Sequence, residues 1–297
     1  IIADSINPYG DRLTTFIVVI PRIVLAEFNT HRVFSRNSAS SRAIPFKTMV
    51  EKVKNDPFVP IAFQKDHKGM QGTEYFEGPE LAELQKQWID TAKATAEDAT
   101  MLHDKGVTKQ LCNRLLEPFL YHTIIVTSTE WENFFALRAH EAAEIHIAKA
   151  AELMLEAYNT STPQTLSEGQ WHIPFGDKLS QDKIDTILEE QSGEYPGNLV
   201  NYNILSEEIK KQVAVARCAR VSYLNYEGTD DYAKDIKLYE RLSSMGHMSP
   251  FEHVAYVMGP EERTEGEGFK GNLRGFIQDR FQFKDQNRKD DRVIKCI

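Results

Sequence analysis

The sequence predicts a helix-rich α+β fold with a small, mostly antiparallel sheet. Three observations carry this expectation. Hydrophobic residues make up 41% and charged residues 27% of the 297 positions, the ordinary balance of a globular chain with room for one large domain or two. Few runs are strand-like and those are short. Most of the remaining chain sets apolar residues at helical spacing between glycine, proline and polar stops.

In chain order, residues 12–20 (RLTTFIVVI) are β-branched and aromatic, and Pro21 ends them, so a strand is expected there. Residues 22–29 follow as a short helix. Residues 81–104 place Leu81, Leu84, Trp88, Ala92 and Ala96 on one helical face, with Gly106 as the stop. Residues 109–119 read as a second short helix, and residues 123–127 (TIIVT) as a strand. Residues 131–158 read as one long helix, ended by the polar cluster before Pro163. Residues 163–202 carry Gly169, Gly176, Gly193 and Gly197 and are expected to be loop-rich. Ser206 is expected to cap a helix reaching about Ala219, with Glu207 and Glu208 in its first turn. Residues 231–245 form another helix, with Gly246 past its end. Residues 260–292, charged and glycine-containing, are expected at the surface and partly mobile.

Composition excludes several classes. The chain is neither disordered, collagen-like nor coiled-coil. The longest apolar run, residues 16–20, is strand-sized, far short of a membrane span. Lys and Arg number 35 against 44 Asp and Glu, a net charge of −9. Such a chain is a poor nonspecific binder of nucleic-acid polymers or anionic membranes, so any anion it holds sits in a local pocket. Cys112, Cys218 and Cys296 are too few and too scattered for a disulfide framework or a cysteine zinc site, and a reducing cytoplasm is expected. No signal peptide is expected, and the start at Ile1 without Met points to a few residues ahead of it.

The chemistry concentrates in residues 28–50, which hold no Asp or Glu but contain Arg32, Arg36, Arg42 and Lys47. The centre reads His31-Arg32-Val33-Phe34-Ser35-Arg36-Asn37-Ser38-Ala39-Ser40-Ser41-Arg42. Guanidinium forks match phosphate oxygens in pairs, and serine hydroxyls and free backbone N–H groups complete such a cradle. The other reading is a solvated basic loop. Arg114 and Arg138 stand in apolar helical runs, where an arginine wants a partner; a snorkelling side chain or a structural ion pair is the alternative. A third cluster, residues 245–253 (MGHMSPFEH), brings His, Ser, Glu and His together after a helix stop, or is simply a capped turn over a core Phe. The run His140-Glu141-Ala142-Ala143-Glu144-Ile145-His146 is not HExxH; His140 and Glu144 share a helix face at spacing i, i+4 but His146 points elsewhere, and no metal site is expected. Cys112 reads as a packed thiol.

His31-Arg32, Ser35, Asn37, Ser40 and Arg42 resemble the R-H-R-x-x-S-x-N-x-x-S-x-R signature of flavin-dependent thymidylate synthases (the ThyX family). Four further stretches are similar to the same family. Gly106-Val107 with Asn113-Arg114-Leu115-Leu116-Glu117-Pro118 is similar to its dUMP-site helix. Asn133-Phe134-Phe135-Ala136-Leu137-Arg138 is similar to its N-F-L-x-L-R helix. Ala219-Arg220-Val221-Ser222 and residues 246–253 are similar to its A-R-V-S and G-H-x-[ST]-P-F-E-H segments. In compact members those last two precede the R-H-R loop; here they follow it, so the chain looks circularly permuted or partly duplicated. Residues 251–258 and 272–280 echo the strand and helix before His31. The resemblance implies a single ThyX-like catalytic domain over residues 1–297, with insertions at about 50–100 and 160–205 and a charged C-terminal segment at 260–297.

The resemblance also implies roles. FAD would lie at His31, Arg32, Asn133, Ser222, His247, Ser249 and Glu252. The nucleotide dUMP would lie at Glu27, Ser38, Ser40, Ser41, Arg42, Arg114 and Arg138, with Arg138, Ser40 and Arg42 closest to the chemistry. Thr30 replaces the first Arg of R-H-R, Glu27 stands where Gln is usual, Ser38 where Glu is common, and Thr129 where compact members often have a flavin-contacting Arg.

Uracil C5 is a poor nucleophile, and classical thymidylate synthases activate it with a Cys that follows a Pro. Leu111, Arg217 and Lys295 precede the cysteines here. A flavin removes that need by carrying the hydride, while arginines stabilise developing charge on the uracil carbonyls. Ser40 then binds and does not attack. The implied reaction converts dUMP, methylenetetrahydrofolate and NAD(P)H to dTMP and tetrahydrofolate, in a homo-oligomer with shared sites: a tetramer, or a dimer if the chain is duplicated. The competing expectations are a flavin enzyme that hydroxymethylates dUMP or acts on another pyrimidine nucleotide, a nucleotide-binding protein without turnover, and a metalloenzyme built on His140 and Glu144.

Overall fold

The computed structural model describes every residue except 70–71, 193–198, 225–229, 265–267, 285, 288–291 and 293–297. Cys296, Lys295, Gly193 and Gly197 therefore lie outside the described residues. The centre is a five-stranded sheet, ordered β3-β4-β2-β1-β5. Its strands are β1 (Ala3–Ile6), β2 (Arg12–Pro21), β3 (Ser35–Ser38), β4 (Tyr121–Ser128) and β5 (Gln164–Thr165). Only the short β1–β5 pair is parallel; β2 and β4 run antiparallel with Phe16 opposite Val126 and Thr15 opposite Thr127.

Strand periodicity sorts β2 and β4 onto two faces. Phe16, Val18, Ile20, Ile124 and Val126 pack with Phe28, Phe34, Trp131 and Phe134 in one core. That core is closed by α1 (Leu25–Asn29), α5 (Glu132–Arg138) and α6 (Ile145–Thr160). Ile17 and Ile125 face the other way, against Cys218 and Val221 at the end of α8 (Leu199–Arg220). Three helices, α2 (Phe46–Asn55), α3 (Gly78–Asp104) and α4 (Lys109–Leu116), form a separate cluster. There the expected Ala92 and Ala96 stripe meets Met49, Val53, Leu116 and also Ala39 and Ile44. Much of the stretch from 50 to 100 is thus a helical layer under the basic loop. A three-stranded antiparallel sheet, β10-β7-β6, is built from β6 (Trp171–His172), β7 (Ala255–Val257) and β10 (Phe276–Gln278). The helices α7 (Gln181–Ser192) and α9 (Tyr232–Ser244) pack with α8 around Ile184, Leu188, Val213 and Tyr232.

Several expectations are corrected. The long helix over 131–158 is two helices. The chain leaves helix after Arg138, and the Glu144 carboxylate caps α6 by accepting from the His146 and Ile147 N–H groups at 2.9 and 3.1 Å. His140 and Glu144 therefore share no helix face; the His140 Nδ1 accepts from the Ala142 N–H instead. The stretch 163–202 contains α7. Ser206 lies inside α8, buried, and is not its cap. The short β1, β3 and α2 were also not anticipated.

The segment after 260 is the largest departure from expectation. Leu273, Phe276, Gln278 and Asp279 are buried. Residues 272–280 form β9 (Leu273–Arg274), β10 and the start of a 3-10 turn over Asp279–Gln282, where the internal echo called for a helix. Their polar residues fold back on the basic loop. Asn272 donates to the Val33 carbonyl at 2.8 Å, and Gln278 donates to the Ser35 hydroxyl at 2.9 Å.

Candidate active site

β2 stops at Pro21, one 3-10 turn and α1 follow, and the Thr30 hydroxyl ends α1 by donating to the Glu27 carbonyl at 2.6 Å. This turn delivers His31 into the aromatic core. Its ring lies 5.0 Å from Phe134, edge-on, and 5.8 Å from Phe34, stacked. Arg138, at the end of α5, donates from Nε to His31 Nε2 at 3.1 Å and from Nη2 to the Thr30 hydroxyl at 3.1 Å. An imidazole nitrogen that accepts from a guanidinium carries no proton, so His31 is neutral with its hydrogen on Nδ1. Burial first, then the charges of Arg138 and Arg36, hold its pKa below the usual histidine value.

β3 then pairs with β4, from Ser35 opposite Thr127 to Ser38 opposite Ile124. At its end the Ser40 N–H donates to the Ser222 carbonyl at 3.0 Å, and the Ser40 carbonyl accepts from the N–H groups of Ala43 and Ile44. Asn113 of α4, fully buried, pins this turn from below by donating to the carbonyls of Ser41 and Ile44 at 2.6 and 3.0 Å. The carbonyls face inward and are satisfied. The N–H groups of Ser41 and Arg42 have no acceptor among the described residues. Neither do the guanidinium groups of Arg32 and Arg42, both exposed, which make no ion pair there. A turn with free N–H groups and unpaired guanidiniums, in a chain of net charge −9, has the donors and the charge to take an anion.

The second half of the chain supplies the neighbouring wall. The 3-10 turn Ser249–Glu252 lies against β3, with the Asn37 side chain 3.3 Å from the Ser249 hydroxyl. Glu252 pairs with Arg280. Arg274 donates its N–H to the Thr129 hydroxyl at 3.0 Å and its Nε to Glu130 at 3.1 Å, so the tail brings a guanidinium beside Thr129.

The structure thus brings together His31, Arg138, Ser38, Ser40, Ser41, Arg42, Ser222, Ser249 and Glu252. Arg32 is exposed on the same loop, His247 is exposed just before the Ser249 turn, and Asn133 is exposed at the other end of α5 from Arg138. Glu27 is half-buried with its Oε2 enclosed and without a hydrogen-bond partner. Arg114 does not join them: it is exposed on the face of α4 that also presents Leu111 and Leu115, and it makes no ion pair among the described residues. Its neighbour Asn113, one helical step of about 100° away, holds the loop in its place. Sequence reasoning missed Asn113, Asn272 and Gln278; the signal for Asn113 was its spacing of three from Leu116 on the buried face.

Cys112 and Cys218 are buried, and burial pushes the Cys218 thiol far up. Among the described residues no three His, Cys, Asp or Glu side chains gather as a metal site, and no helix is long and apolar enough to cross a membrane.

The thymidylate synthase complementing protein family (Thy1) matches residues 13–164, which run from β2 through the basic loop and α6 to β5. A search of curated proteins returned no match. Among solved structures, the flavin-dependent thymidylate synthase ThyX from Helicobacter pylori, complexed with FAD and dUMP, is similar at 15% identity and a TM-score of 0.34, over 49% of this chain and 67% of that one. The segments 219–222 and 246–253 lie beyond the matched residues in sequence yet pack on the loop within them. With its motifs reunited around that loop, the chain belongs to the Thy1 family, the flavin-dependent thymidylate synthases.

Proposed function

We propose that the protein methylates dUMP to dTMP in an FAD-dependent reaction, with methylenetetrahydrofolate and NAD(P)H as co-substrates. The observation that supports this most is the turn at Ser40–Arg42, with its free N–H groups beside unpaired guanidiniums. Ser38, Ser40, Ser41 and Arg42 would take the nucleotide phosphate there, and the half-exposed Arg138 would reach the uracil ring. His31, Arg32, Asn133, Ser222, His247, Ser249 and Glu252 form the flavin side; the donor set suits a phosphate-bearing, imide-containing cofactor. FAD, when bound, supplies the hydride. The chain's own part is electrostatic: Arg138, held by neutral His31, and Arg42 stabilise charge that develops on the uracil carbonyls. Ser40 has no base hydrogen-bonded to its hydroxyl among the described residues and acts as a binder.

Arg114 enters the site in a homo-oligomer. It shares its exposed face with Leu111 and Leu115, which a second copy would cover. We place the protein in a reducing cytoplasm, apart from membranes and nucleic-acid polymers.

A second reading rests on Glu27, whose enclosed Oε2 lacks a donor. Thr30, Glu27 and Ser38 depart from the residues usual at these positions, and a carboxylate at Glu27 can only accept where the usual Gln also donates, so hydroxymethylation or another pyrimidine nucleotide is the runner-up. The visible spectrum of the purified protein, before and after dUMP and NADPH, should show a flavin that bleaches, and mass spectrometry of the product should show a gained methyl group. A hydroxymethyl product moves the assignment to the second reading. Protein that takes up no FAD defeats both.

A further inference from the structure

A file of buried polar side chains crosses the molecule behind the candidate site. Ser5 Oγ lies 2.8 Å from His172 Nδ1, and His172 Nε2 lies 2.8 Å from Thr15 Oγ1. Thr15 Oγ1 lies 2.7 Å from Thr127 Oγ1, which lies 2.8 Å from His253 Nδ1. His253 Nε2 ends the file 3.2 Å from the Asn37 amide. Ser5, Thr15, Thr127, His172 and His253 are all at most 3% exposed. One end opens on a cavity of about 940 Å³ that Ser5 lines with Gln170 and Trp171. The other is the wall of the candidate active site.

Both imidazoles are neutral, since burial holds each near a pKa of about 3. Each has one N–H and one lone pair, and both nitrogens of both rings are engaged. Each threonine hydroxyl has one hydrogen and two neighbours in the file. A run in one direction or the other gives every hydrogen of the file an acceptor, whereas a mixture either sets two lone pairs against each other or leaves a buried threonine hydrogen with no acceptor in the file. The Asn37 amide decides which. With its nitrogen inward, its two N–H groups lie among three acceptors, the Ser249 carbonyl at 3.1 Å, the Arg36 carbonyl at 3.1 Å and His253 Nε2 at 3.2 Å. With its oxygen inward it would face two carbonyls that can only accept. Nitrogen-inward is the satisfied state, and it puts the His253 hydrogen on Nδ1 toward Thr127, and the His172 hydrogen on Nδ1 toward Ser5.

We infer that His253 is a positioning residue: with its Nδ1 hydrogen taken by Thr127, it offers a bare Nε2 to the Asn37 amide, adds to the hold of the Ser249 and Arg36 carbonyls, and so steadies the hydrogen-bonding pattern that β3 and the Ser249 turn present to the ligand, while Thr15 and His172 continue the same hydrogen order. What this says of the ligand rests on the function proposed above; the hydrogen order does not.

Long-range proton–nitrogen NMR of the holoprotein tests the order directly. Both histidines should carry their hydrogen on Nδ1, and Thr127→Val, which removes the acceptor, should move the His253 hydrogen to Nε2. Wild-type His253 protonated on Nε2 overturns the inference, whether or not the valine variant folds. Glutamine keeps a polar atom at the reach of imidazole Nε2, and asparagine one at the reach of Nδ1. His253→Gln should therefore hold FAD nearly as wild type, while His253→Asn should weaken FAD by about tenfold, the loss of one buried hydrogen bond. Equal losses in both variants, tracking their melting temperatures, would reduce His253 to packing and overturn the inference. Wild-type protein that binds no FAD would sink the function proposed above and leave the NMR result to decide the file by itself.

Discussion

Arg138 is the side chain on which the two halves of the candidate site meet. Among the described residues its guanidinium has only neutral partners, His31 and Thr30, so no carboxylate there balances its charge. It is also half-exposed, so its removal leaves no buried charge or large cavity. Arg138→Ala is expected to weaken dUMP binding by about tenfold to a hundredfold, as loss of a charge-assisted hydrogen bond of about 1.5–3 kcal/mol requires, with the unfolding midpoint nearly unchanged. Calorimetric titration checks this; retained affinity would remove Arg138 from the nucleotide side. At this scale the sequence was most legible where charge was anomalous. An acid-free stretch with several arginines and serines stood out, and its residues do form the turn. It was least legible where rotation about a helix decides: Arg114 and Asn113 are adjacent in sequence and on different faces of α4. The apolar Leu111 and Leu115 suggested a buried neighbourhood for Arg114 that is in fact exposed.

Among elements, the long periodic ones were readable and the short ones were not. The strands β2 and β4 announce themselves because β-branched runs suit a sheet buried on both faces. The α5–α6 break was hidden because residues 139–144 are mostly helix formers, and only the local capping by Glu144 marks where helix restarts. The β9–β10 turn was hidden for another reason: its charged, glycine-containing sequence resembles a surface loop. Gly275 sits in it at φ +70°. A Cβ there would collide with the side chains of Asn7 and Asp11, and Asn7 also donates to the Gly275 carbonyl at 3.3 Å. Gly275→Ala is therefore expected to destabilise by about 1–3 kcal/mol from backbone strain, with overpacking added. Because Asn272 and Gln278 flank this turn and hold the loop at Val33 and Ser35, FAD affinity should fall as well. Denaturant unfolding and a flavin titration check the two effects, and a variant as stable as wild type would show that the turn relaxes freely.

In the whole molecule, segments from opposite ends of the sequence enclose one site, which places titratable groups in the interior. Three histidines and two aspartates there decide how stability follows pH. Burial holds His122 at about 4 and His172 and His253 at about 3, whereas in the unfolded chain each titrates near 6.5. Between those values the unfolded chain binds three protons that the folded chain does not, so acid favours unfolding. Asp235 and Asp279 oppose this. Burial raises both to about 6, so between roughly pH 4 and 6 the folded chain holds two protons that the unfolded chain lacks. Exposed pairs such as Asp90 with Lys86 add little. For these five groups the balance near pH 5 is about one proton in favour of the unfolded chain, and His31, also held low, adds to it, so stability should fall by roughly 1 kcal/mol per unit or more as pH is lowered. Asp279→Asn removes one opposing group, so its slope near pH 5 should be steeper by roughly 1 kcal/mol per unit. Denaturant unfolding at a series of pH values measures both slopes, and an unchanged slope in Asp279→Asn would mean that Asp279 is ionised in the folded protein, paired across 4.0 Å with Lys211.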